Sequence, residues 1–89
     1  MTIGEVIRIF QIANNYSNEY VSKNTGFSQS YFSQLKSGIK KVSQKNLEKL
    51  AKCFNVKPSQ IWLIHELSEE ENWTFPETLL EALKLYVDE

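Results

Sequence analysis

Apolar residues recur along this chain at three- and four-residue spacing almost throughout, the period of helices that bury one side. Ile3, Val6, Ile7 and Phe10 make one such face and predict a first helix over about 3–13. Leu47, Leu50, Ala51 and Phe54 make another and predict a helix over about 44–54. Between them, shorter segments at 18–24 and 29–36 carry the same signature, and a fifth helix is predicted over 58–65. After a polar, acidic connector (Ser68, Glu69, Glu70, Glu71, Asn72), a last helix over 75–87 aligns Leu79, Leu80, Leu83, Tyr86 and Val87 on one face. No useful length of chain alternates with the two-residue period of a strand, so the fold class is all-α.

One device marks the helix starts. A hydrophobic residue, a capping position and a second hydrophobic residue four places after the cap form a hydrophobic staple. Tyr16–Ser17–Val21, Phe27–Ser28–Phe32 and Val42–Ser43–Leu47 all fit, and each serine oxygen can accept an orphan N–H of the first turn. Val56–Lys57–Ile61 has the same spacing, with Pro58 at the first helical position, where its missing N–H costs nothing. Thr2 with Glu5 and Thr74 with Glu77 stand at capping-box spacing.

Composition narrows the picture without changing it. Eighty-nine residues, 42% hydrophobic and 24% charged, suit one compact domain and are too apolar for a disordered chain. No apolar run approaches the roughly 18 residues of a membrane span, and a soluble cytoplasmic protein is expected. The single cysteine, Cys53, builds neither a disulfide framework nor a zinc site, and reads as a small core residue. His65 is the only histidine and reads as a surface or helix-end residue. With no nucleophile–base setting, phosphate loop or acidic metal cluster, neither an enzyme nor a cofactor is expected.

The net charge of −1 hides a polarised chain. Residues 1–57 hold nine basic and three acidic side chains, a net of +6, whereas residues 58–89 hold one basic and eight acidic, a net of −7. Screening beyond about 8 Å lets a basic face act locally despite an acidic remainder.

The segments at 18–24 and 29–36 are too short to stand alone, since isolated helices below about 12 residues are marginal. Val21 and Thr25 are placed to face Phe32 and Leu35, with Phe27 at the corner, and the small Ser22 permits close approach. Gly26 stands where the chain must turn sharply between the two segments. Two short angled helices joined by a glycine-containing turn make a helix-turn-helix.

From Gly26–Phe27–Ser28–Gln29–Ser30–Tyr31–Phe32–Ser33–Gln34–Leu35–Lys36–Ser37–Gly38, through Leu47–Glu48–Lys49–Leu50–Ala51–Lys52 and Phe54–Asn55–Val56, the chain resembles the Cro and lambda-repressor type of helix-turn-helix, the XRE family. The resemblance covers residues 1 to about 63. It implies a lambda-repressor-like bundle of five short helices in a DNA-binding domain at 1–66. Residues 67–89 then form the acidic connector and a C-terminal amphipathic helix that dimerises or completes the domain. Three positions depart from the family's usual residues: Asn18 where Gln contacts a phosphate, Ser22 for alanine, and Lys36–Ser37 for Glu–Asn.

The resemblance makes 29–36 a recognition helix that enters the major groove of an operator half-site. Gln29 then pairs bidentately with adenine and Ser30 with any base, Tyr31 and Ser33 touch a thymine methyl or a phosphate, and Gln34 reads a base from the next turn. Phosphate contacts are expected from Asn18, Lys23, Lys36, Ser37, Lys40, Lys41 and Ser43, which surround that helix in sequence. Lys45, Lys49 and Lys52 make a further basic stripe that reads equally well as a solvated face. The expected role is a bacterial or phage transcriptional regulator of the repressor type, associated with the nucleoid when bound to double-stranded DNA. A homodimer is expected through Trp62, Trp73, Leu79, Leu83 and Tyr86. The competing reading is a protein-interaction module, such as an antitoxin or anti-repressor, that binds a protein partner through its acidic C-terminal region.

Overall fold

The computed structural model describes residues 1–69, and among the described residues it contains five helices and no strand. These are α1 (Ile3–Ala13), α2 (Asn18–Thr25), α3 (Gln29–Ser37), α4 (Gln44–Phe54) and α5 (Pro58–Ser68). The helix expected over 75–87, the box at Thr74 and Glu77, and Trp73, Leu79, Leu83 and Tyr86 lie outside the described residues. The ends of α1 and α4 fall where the apolar pattern put them. Helices α2 and α3 each run one residue further than expected, up to Gly26 and Gly38, whose φ of 81° and 85° ends the helical path. Helix α5 continues three residues past its expected end and takes in Ser68, which the sequence pattern had assigned to the connector. No glycine or proline stops it there, and Ser68 Oγ donates back to the His65 carbonyl at 2.7 Å.

The serine caps form as their spacing requires. Ser17, Ser28 and Ser43 adopt extended backbone and accept from the N–H three residues on, at 3.0, 3.0 and 3.1 Å. Thr2 and Glu5 close a reciprocal capping box at 3.1 and 3.2 Å. The backbone and hydroxyl donors of Thr2 hold the Glu5 carboxyl below its ordinary pKa. At α5 the capping contact comes from Gln60, whose side chain accepts from the Lys57 N–H at 2.6 Å.

One core joins all five helices. Val6, Ile7 and Phe10 of α1 meet Val21, Phe32, Leu35, the apolar face of α4, and Ile61 and Ile64 of α5. Phe10 and Phe54 stack at 5.9 Å between ring centroids. Cys53 packs against this core half-buried, and burial pushes its thiol up. His65 is partly covered, edge-on to the Trp62 ring, with Nε2 3.3 Å from Glu69 Oε1.

One close approach in the bundle involves backbone rather than side chains. Gly4, buried in the first turn of α1, lies against the end of α3, so that a Cβ built there would stand 2.5 Å from the carbonyl oxygens of Leu35 and Lys36. The first helix is therefore seated directly on the last turn of the third, with no room for a side chain between them.

Candidate functional site

The turn between α2 and α3 is tied by its own polar side chains. Thr25 Oγ1 donates to the Val21 carbonyl at 2.7 Å and accepts from the Phe27 N–H at 3.2 Å. Ser22 Oγ donates to the Phe27 carbonyl. Thr25 and Ser22 thus do more than the packing expected of them, because they pair the backbone groups that the sharp turn at Gly26 takes out of both helices. Phe27 is buried beneath the turn, edge-on to Tyr31 at 5.3 Å.

Held in this way, α3 turns Phe32 and Leu35 fully inward and presents Gln29, Ser30, Ser33 and Ser37 to solvent. Gln34 is half-covered. Tyr31 is also half-covered, and its hydroxyl accepts from Asn46 Nδ2 of α4 at 2.7 Å, so its ring is fixed beside the outward face of α3. No residue of α3 is acidic. An outward face of uncharged amides and hydroxyls, open at its helix N-terminus, suits base edges and anions and repels neither.

Basic side chains border this face. Lys23, Lys40 and Lys41 are exposed. The loop that carries Lys40 and Lys41 folds against the end of α3 through a bond from the Lys40 N–H to the Gln34 carbonyl at 3.2 Å. Ser37 Oγ donates to the same carbonyl at 3.2 Å, and Ser43 is occupied as the cap of α4. Lys49 of the α4 stripe lies over the Phe27 ring at 5.7 Å, which brings one member of that stripe to the turn.

Lys36 does not extend outward with the others. Its ammonium lies 4.5 Å above the Phe32 ring and donates to Gln11 Oε1 at 2.9 Å and to Asn18 Oδ1 at 2.7 Å. Loss of solvent, with the Arg8 charge adding to it, pulls its pKa below the usual lysine value. Gln11, a buried residue of α1, completes the node by donating from Nε2 to Asn18 Oδ1 at 2.8 Å and to the Tyr16 carbonyl at 3.1 Å. Gln11 and Asn46 were not singled out in the sequence. The available signal for Gln11 was its position one residue after Phe10, on the flank of the apolar face of α1.

On the far side of the domain, α5 sends Ile61 and Ile64 into the core and leaves Trp62 40% and Leu63 53% exposed. No helix among the described residues is long and apolar enough to cross a membrane.

A helix-turn-helix family model matches residues 7–61. Comparison with curated proteins and with solved structures found no match.

Proposed function

Because the chain belongs to the Cro and lambda-repressor type of helix-turn-helix DNA-binding families, we propose that it is a sequence-specific transcriptional regulator of the repressor type. In this reading α3 lies in the major groove of an operator half-site. The observation that carries the reading is the outward face of α3: exposed Gln29, Ser30 and Ser33, no acidic residue, and a border of lysines. Gln29, Ser30, Tyr31, Ser33 and Gln34 supply the base contacts. The amide of Gln29 pairs with adenine, and the fixed ring of Tyr31 offers an apolar edge to a thymine methyl.

Lys23, Ser37, Lys40, Lys41 and Ser43 stand on the phosphates to either side and set position without reading sequence. Asn18 contributes at the N-terminus of α2. There Ser17 takes the Tyr20 N–H, and the first intrahelical bond is that of Val21, which leaves the N–H groups of Asn18 and Glu19 as orphan donors. Lys36 acts from behind Asn18.

One short helix covers few base pairs, and two half-sites about 34 Å apart multiply specificity. The exposed Trp62 and Leu63 support a homodimer formed across α5, extended by Trp73, Leu79, Leu83 and Tyr86. Selection of bound duplexes from a random pool tests both parts of this reading. A pseudo-palindromic site should be enriched. Recovery of random sequence, or no binding even at about 50 mM salt where phosphate attraction is strong, would overturn it.

A further inference from the structure

An ammonium group can only donate hydrogen bonds. The atoms of Gln11 and Asn18 that lie 2.9 and 2.7 Å from Lys36 Nζ are therefore their amide oxygens, and the lysine fixes the orientation of both amides. With its oxygen on Lys36, Gln11 must direct Nε2 to the other side, where it donates to Asn18 Oδ1 and to the Tyr16 carbonyl. Asn18 Oδ1 thus receives two donors. Its Nδ2 is the other end of the amide, left free of the node in the first turn of α2.

We infer that Gln11 and Lys36 are positioning residues for DNA binding: together they lock Asn18 so that Nδ2 donates to a backbone phosphate. The inference rests on the function proposed above and names a device within it. Lys36 belongs to the last turn of α3, Gln11 to α1 and Asn18 to the first turn of α2. The phosphate clasp on one helix is therefore set by the end of the helix that reads bases. A free asparagine amide donates or accepts with equal ease, and an oxygen turned toward a phosphate repels it. Locking the amide removes that wrong half of its orientations before DNA arrives. Lys36 also places its charge behind the donor, where it attracts the same anion without leaving the protein.

The test is a double-mutant cycle on the full chain, read by fluorescence anisotropy with a short duplex of mixed sequence at low salt. Asn18→Ala and Gln11→Met should each weaken binding by about tenfold, the weight of one hydrogen bond to a charged acceptor. The double variant should be no weaker than either single one, because both remove the same contact. Gln11→Glu guards against loss of fold. It keeps a charged acceptor for Lys36, so the fold should survive the lost bond to the Tyr16 carbonyl, yet it has no donor for Asn18 Oδ1 and should bind more weakly. Without DNA, the side-chain amide signals of Asn18 in a nitrogen–proton correlation spectrum should move in Gln11→Met and Gln11→Glu, whereas a packing role for Gln11 would leave them in place. Multiplying losses in the double variant, or unshifted Asn18 amide signals, would overturn the positioning role while leaving DNA binding intact. Absence of wild-type binding would overturn the proposed function and this device with it, and the anisotropy of the wild type separates the two results.

Discussion

Gly4→Ala is the sharpest test of how α3 is seated. In most helices this substitution stabilises, because alanine loses less backbone freedom than glycine, and the gain is at most about 1 kcal/mol at a first-turn position. Here the new Cβ would meet two carbonyl oxygens, those of Leu35 and Lys36, each at 2.5 Å. Ordinary contact begins at 3.4 Å, so α1 and the end of α3 must separate by about 0.9 Å. The obstacle is backbone, which cannot swing aside as a side chain can, and overpacking of this kind costs about 1–3 kcal/mol. The expected net effect is a loss of about 1–2 kcal/mol, which lowers the melting temperature by roughly 5–15 °C in a domain of this size. Thermal unfolding followed by far-ultraviolet circular dichroism measures it, and the anisotropy assay at a temperature where both proteins are folded should show weaker DNA binding, since the end of α3 moves. A variant as stable as the wild type, or more so, would refute the close approach of α1 to the end of α3.

Three further outcomes are expected. Gln29→Ala should weaken binding to the selected operator far more than to random DNA, whereas Lys40→Ala should weaken both alike and flatten the salt dependence; an unchanged specificity ratio in Gln29→Ala would remove that residue from base reading. Gly26→Ala should lower the unfolding free energy by about 1–2 kcal/mol, read as a lower denaturation midpoint at constant slope. Nothing lies within 4 Å of the added Cβ there, so the cost is that of a non-glycine residue at φ +81°, and Gly26→Asn should recover part of it. For Glu5 the folded pKa lies below the ordinary 4.5, so its contribution is complete above that value and is lost as pH falls through the folded pKa. Glu5→Gln keeps a capping box that does not titrate. Its melting temperature should therefore approach that of the wild type as acid is added, and a gap that stays constant would remove Glu5 titration as the cause.

What was legible in the sequence was what is local. A serine cap acts on the N–H three residues on, a staple joins residues five apart, and a glycine ends the helix it follows. Hence the starts of all five described helices, the turn at Gly26 and the inward pair Phe32 and Leu35 were readable. The end of α5 was less so, because it rests on a serine that bonds back to its own helix and not on a glycine or proline. The exposed polar face of α3 was readable for the same reason as its core face: at a helical period, whatever does not point inward points out.

The sequence by itself determined the five helices, the turn and the polarity of the outward face of α3, because each follows from contacts within one or two turns. Only the tertiary structure decided what Gln11, Asn18 and Lys36 do. Lys36 is 25 and 18 residues away from its partners, and along the chain it looks like any lysine free to reach a phosphate. Gln11 looks like a polar residue beside an apolar stripe, and Gly4 like a weak point in a helix. Their roles arise where three helices meet, and the distances there are set by how the core packs, which no local rule carries.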